Sequence, residues 1–160
     1  MNILIIGHAR HGKDTVAEMI NKEHGYKFKS SSEAAAEIFL YDKLKEQYGY
    51  ETFQECFEDR MNHRQEWYEA IVTYNTPDKA RLAREIMEDN DIYVGMRDND
   101  EIMACLKDNI FDLIIGVYDP RKPFEDPTSF NIDMWHLADV VIPNAGTLED
   151  LRIKVWNLPL

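Results

Sequence analysis

Cysteine is scarce: Cys56 and Cys105 are the only two, far apart and outside any paired motif. That speaks against a disulfide framework or a zinc site and for a reducing compartment. No apolar run approaches the ~20 residues of a membrane span, and the chain opens on apolar residues rather than on a charged leader. A soluble cytoplasmic protein with no membrane partner is expected. Basic residues are outnumbered, 18 Lys and Arg against 30 Asp and Glu, for a formal net charge of −12. The sign is wrong for gripping a nucleic-acid backbone, so polymeric DNA or RNA is not an expected partner. Internal repeats and low-complexity tracts are missing too. With 160 residues, 44% of them hydrophobic, the chain has room for one domain with a sizeable core and none for a second catalytic domain.

What is present is organised around the first fifteen residues, MNILIIGHARHGKDT. Ile3-Leu4-Ile5-Ile6 is a short β-branched run ending on Gly7; four residues precede Gly12, and Lys13 follows at once. Glycines let successive N–H groups point inward, the next helix offers its positive dipole end, and a lysine completes a cradle for phosphate oxygens. Val16, Ala17, Met19 and Ile20 give that helix an apolar side. Strand, Gly-x4-Gly-Lys and amphipathic helix together make this a phosphate-binding loop. Loops of this kind usually place Ser or Thr directly after the lysine as a magnesium ligand. Here Asp14 intervenes and the hydroxyl comes at Thr15. Gly-Lys-x-Thr resembles the nucleoside monophosphate kinases, and Gly-Lys-Asp-Thr with Arg10 just upstream resembles the deoxynucleoside monophosphate kinases of tailed phages.

Along the rest of the chain, helix and strand patterns alternate. A helix from Lys13 stops near Gly25, Tyr26 to Lys29 reads as a short strand, and Glu33 to Tyr48 as a helix behind a serine cap. Thr52 to Tyr74 is helical in pattern and unusually aromatic, with Arg60 and Arg64 one turn apart on one face. Thr76-Pro77-Asp78 is a helix-start signal for a segment running to about Asp89. Ile92 to Met96 is a strand, a helix follows from Glu101 to about Lys107, and Leu113 to Tyr118 reads as a buried parallel strand. Residues 119–131 carry three prolines and no periodicity. Ala138 to Ile142 is the last strand, and Thr147 caps a closing helix. The expected fold is α/β: a P-loop architecture with a five-stranded parallel sheet flanked by helices on both faces. Gly12, Arg97, Asp119 to Lys122 and Asn144 all fall at strand carboxyl ends, where such sheets bind ligands.

The resemblance supplies expectations for each part of a phosphoryl-transfer site. Gly7, Gly12, Lys13 and Thr15 form the ATP cradle, with Asp14 and Thr15 toward magnesium. Arg97 with Glu101 resembles the Arg-x-x-x-Glu element that faces the acceptor; a surface i,i+4 ion pair is the alternative. Arg60 and Arg64 are candidates to grip the acceptor phosphate, or a solvated helix face. Asp119-Pro-Arg121-Lys122-Pro resembles the cationic lid of these enzymes, and Asn144 to Gly146 the loop that packs on the donor adenine. Residues 32–88 would be a helical acceptor-binding insert and 119–131 the lid. Trp67, Tyr68 and Phe57 either stack on the acceptor base or belong to the core, and the same aromatic helix suits a homodimer contact equally well. His8 and His11 are not expected to bind metal. Strand three lacks the acidic residue common in these kinases, which leaves Asp98, Asp100, or Asp14 with Asp119 to take its place. The implied activity is transfer of the ATP γ-phosphate to a deoxynucleoside monophosphate, with Lys13, Arg97 and Arg121 stabilising the transferring group. A kinase of dephospho-coenzyme A or another alcohol, and a nucleotide-binding module without turnover, stand beside it.

Overall fold

A computed structural model describes all 160 residues, Met1–Leu160. Strand β1 (Ile3–Ile6) is fully buried, and its side chains alternate between two faces. Leu4 and Ile6 enter one core cluster, Ile3 and Ile5 the other. A strand buried on both sides needs cover on both, which is why it sits at the centre of a parallel sheet. The other strands are β2 (Phe28–Ser30), β3 (Ile92–Val94), β4 (Leu113–Tyr118) and β5 (Val140–Pro143). All pairings are parallel, in the order β2-β3-β1-β4-β5.

The helices are α1 (Lys13–His24), α2 (Ser31–Ala35), α3 (Tyr41–Tyr48), α4 (Phe53–Glu58), α5 (Arg64–Tyr74), α6 (Arg81–Met87), α7 (Asn99–Lys107), α8 (Met134–Leu137) and α9 (Leu148–Trp156). Val16, Ala17 and Ile20 of α1 with Leu151 and Val155 of α9 cover the Ile3/Ile5 face. Ala34, Leu82, Ala83, Ile86, Ile102 and Cys105 cover the other, joined by Phe130, Ile132 and Met134. The expected α/β fold with helices on both faces is therefore what the chain adopts.

The departures are local. The helix expected over 33–48 is divided by a π-helical turn, Ala36–Leu40. Ala34 and Ala35 before it face the sheet core, whereas Leu40 and Leu44 face a separate small core with Cys56 and Trp67, so the turn moves the apolar stripe from one core to another. The helix expected over 52–74 is interrupted by a 3-10 turn, Asp59–Asn62, and by His63 outside helical geometry. At the break Asp59 gathers three side chains, its carboxylate accepting from the Tyr50 hydroxyl, Asn62 and His63. After Thr76-Pro77-Asp78 the chain stays in a turn and α6 begins only at Arg81. Asn75 Oδ1 accepts the Leu82 N–H at 3.0 Å and Asp78 the Ala80 N–H at 3.1 Å, so the capping groups lie on both sides of the proline.

Candidate active site

Between β1 and α1 the chain turns through Gly7 to Gly12, and close contact dictates both glycines. A Cβ on Gly7 would come within 2.5 Å of the Val117 carbonyl oxygen, and one on Gly12, whose φ is +102°, within 2.5 Å of Asn144 Nδ2. Arg10 takes the left-handed conformation without being glycine (φ 64°), a strain of about 1–2 kcal/mol. Asn144 donates to the His11 carbonyl at 3.1 Å, so the loop after β5 braces the phosphate loop from behind. Lys13 is buried, and its ammonium lies 3.4 Å from the His8 carbonyl oxygen. Burial first, and Arg97 second, pull its pKa down to about 8; phosphate at the site would reverse that pressure.

In front of Lys13 lies a cleft of about 360 Å³, within the range of small-molecule sites. Arg10, Arg60, Arg64 and Arg97 line it with Lys13; Phe57, Trp67 and Tyr68 supply aromatic surface, and Ser30, Ser31 and Ser32 hydroxyls. Arg60 and Arg64 thus meet at one cleft from different elements, the 3-10 turn and the start of α5. The Arg60 guanidinium lies 4.0 Å over the Phe57 ring and donates to the Phe57 carbonyl at 2.8 Å. Trp67 lines the cleft and is 4% exposed, packed with Ala36, Leu40, Leu44 and Cys56. Gly95 sits at the end of β3 with φ +93°, and a Cβ there would lie 3.5 Å from Lys13 Cε, so a glycine rather than an acid backs the lysine.

Three expected placements are not realised. Glu101 is buried beneath the cleft and accepts from the Tyr93 hydroxyl at 3.1 Å; burial raises its pKa to about 8. It is no partner of Arg97, which lies beyond the turn that starts α7 and pairs with Glu125 instead. Arg121 does not reach the cleft. It forks onto Asp119 at 2.9 and 3.0 Å and donates onward to the Asn144 and Gly146 carbonyls, so it clamps the far side of the phosphate loop and holds Asp119 down at about 2. Of the candidates to replace a strand-three acid, Asp119 is held by Arg121 and Asp98 takes bonds from Tyr68 and Asn131 at 3.0 and 3.2 Å, whereas Asp14 lines the cleft and Asp100 lies in the first turn of α7. Gly146 packs where a Cβ would meet the Asp150 carboxylate, behind the same clamp.

Glu125, His8 and His11 act together with no local motif to mark them. His11 accepts the Asp119 N–H on Nδ1 and donates from Nε2 to the Pro123 carbonyl, both at 3.0 Å, which fixes the orientation of the ring. His8 accepts the Glu125 N–H on Nδ1 at 2.9 Å and stacks on Phe124; burial pushes its pKa down to about 4. The two histidines therefore fasten segment 119–131 to the phosphate loop. Glu125 accepts from the Ala9 N–H at 2.8 Å, from Arg64 at 3.3 Å and from Arg97. Burial opposes its charge, yet Arg97 and these bonds keep the carboxyl below its ordinary range.

No cluster of three or more His, Cys, Asp or Glu side chains stands ready for a metal. Asp14 lines the cleft and Thr15 follows it in the first turn of α1. Thr15 itself does not line the cleft, so Asp14 is the one member of this pair that faces it.

The fold is shared with solved P-loop kinases. A dephospho-CoA kinase from Campylobacter jejuni superposes with a TM-score of 0.54 over 97% of this chain and 94% of its own, at 16% identity. A shikimate kinase from Aquifex aeolicus gives 0.51 over 98% and 94% at 11% identity, and a gluconokinase from Sinorhizobium meliloti 0.51 over 96% and 88% at 11%. At these identities the likeness is one of architecture alone. No protein-family model matches the sequence, and no curated protein does. No helix is long and apolar enough to cross a membrane.

Proposed function

We propose that this chain is a P-loop phosphotransferase that moves the γ-phosphoryl group of ATP to the phosphate of a deoxynucleoside 5′-monophosphate. The observation that carries the reading is the meeting of Arg60, Arg64 and Arg97 with Lys13 on one cleft that also has an aromatic wall. Cations for two phosphates and ring faces for a base are what such an acceptor requires. Gly-Lys-Asp-Thr and its likeness to the phage enzymes favour the deoxynucleotide within that class.

The acceptor phosphate oxygen attacks the γ-phosphorus in line, the bond to the β-γ bridging oxygen breaks, and ADP leaves with its charge on the β-phosphate. A phosphate nucleophile carries no proton at neutral pH, so the residues need only position and neutralise. The phosphate-loop amides and Lys13 hold the ATP phosphates. Arg97 faces the transferring group; Arg60 and Arg64 hold the acceptor, with Trp67 and Tyr68 along its base. Magnesium, held toward Asp14 and Thr15, would neutralise phosphate charge. Residues 32–88 act as the acceptor-binding insert and 119–131 as the lid.

One observation favours a hydroxyl acceptor instead: Asp14 lines the cleft with no hydrogen-bond partner in the protein and is placed to take a proton. Structural neighbours named for dephospho-CoA and shikimate keep that reading in view. ADP release from ATP and magnesium, measured against the deoxynucleoside and ribonucleoside monophosphates and against dephospho-coenzyme A and shikimate, separates the two. Turnover with a deoxynucleotide, reduced at least ~100-fold in Lys13→Ala and Arg97→Ala, is the expected result; turnover with the alcohols alone overturns it.

A further inference from the structure

The Glu125 carboxylate stands where an anion belongs. One oxygen accepts the Ala9 N–H of the phosphate loop and the Arg97 guanidinium; the other accepts from Arg64. The side chain is only 8% exposed. A loop N–H and two guanidinium groups converging on two oxygens of one group is a donor set suited to phosphate. The backbone of the same segment is anchored independently, by His8 on the Glu125 N–H and by His11 on Asp119 and Pro123. The carboxylate contacts with Ala9, Arg64 and Arg97 add to these ties, so their loss loosens the segment without rerouting it.

We propose that Glu125 is an internal surrogate for phosphate: in the nucleotide-free protein its carboxylate fills the seat between Ala9, Arg64 and Arg97, and an incoming phosphoryl group must displace it. The inference deepens the function proposed above and rests on it only for the identity of that phosphate. The arrangement has two consequences. Arg64 and Arg97, which repel each other and Lys13 in a confined space, are neutralised before any substrate arrives. Phosphate binding is coupled to loosening of segment 119–131, because one anion occupies the seat at a time and the carboxylate contacts are lost when phosphate takes it.

The test is calorimetric titration of tripolyphosphate, with no acceptor present, into the wild type, Glu125→Gln and Asp126→Asn. Glu125→Gln keeps the shape and removes the competing charge, so it is expected to bind tripolyphosphate at least about tenfold more tightly. Asp126→Asn removes the same charge one residue away and is expected to change affinity less than about threefold. Equal or weaker binding by Glu125→Gln overturns the proposal, as does an equal gain in both variants. Amide hydrogen exchange of the wild type decides the matter without any variant. Segment 119–131 should exchange faster when tripolyphosphate is bound, and slower or unchanged exchange contradicts displacement. Both readouts are independent of whether a deoxynucleotide is phosphorylated, so either proposal can fail while the other stands.

Discussion

Arg60 has no carboxylate within ion-pair distance; its partners are the Phe57 ring and carbonyl. A cation left uncompensated in a cleft is free to meet an anionic acceptor. Charge-assisted hydrogen bonds contribute about 1.5–3 kcal/mol, so Arg60→Ala should raise the acceptor KM at least about tenfold and change the ATP KM far less. An equal rise in both would move Arg60 out of the acceptor site. Glu101 gives a second test at this scale, through stability. Its folded pKa of about 8 stands above the ordinary 4.5, so the folded chain keeps a proton that the unfolded chain releases between those values. Its contribution is complete below the unfolded pKa and is lost as pH rises through about 8. Urea denaturation of Glu101→Gln and wild type at about pH 5 and about pH 9 should show the variant gaining relative stability at the higher pH. A difference independent of pH would contradict a buried, protonated Glu101. Arg60 and Arg64 reach the cleft from two elements and not from the single helix face their spacing implied, whereas Lys13 was legible because its motif is a local signal. Glu125 was not, because its contact with Ala9 joins positions 116 residues apart, and nothing near it in sequence marks it.

Among the elements, α9 follows its local code most closely. The Thr147 hydroxyl accepts the Asp150 N–H at 3.1 Å and the Asp150 carboxylate accepts the Thr147 N–H at 2.8 Å, a reciprocal cap at a junction that also borders the Arg121 clamp. Thr147→Ala should cost about 1 kcal/mol and lower Tm by about 2–4 °C. No change in a thermal melt would mean that packing of Leu151 and Val155 alone holds the helix. Strand β4 was readable to its ends because both of its faces are buried and apolar. The helical segments of 33–74 were less so. Periodicity signals an apolar stripe but not which core it faces, so the π-helical turn at Ala36–Leu40 leaves little trace in sequence. The Asp59 contacts at the break in the next helix join residues from Tyr50 to His63. Thr76-Pro77 misleads for a related reason: the groups that cap α6 are Asn75 and Asp78, and the proline lies in the turn between them.

At the scale of the whole molecule, a net charge of −12 coexists with a cleft where Lys13 and four arginines gather. The parallel sheet makes this possible by collecting the carboxyl ends of β1, β3 and β4 at one edge. Alternation of strand and helix made the sheet and its two covered faces legible. The order β2-β3-β1-β4-β5 was not, since hydrophobic patterns mark which residues are buried and not which strand lies next to which. The central claim is that this edge transfers a phosphoryl group between two bound nucleotides rather than to water. Phosphorus NMR of the protein with ATP, magnesium and a deoxynucleoside monophosphate tests it most directly. The account requires the coupled pair of resonances of a deoxynucleoside diphosphate to grow with those of ADP, without inorganic phosphate. Inorganic phosphate appearing in step with ADP, or an unchanged ATP spectrum, would contradict it.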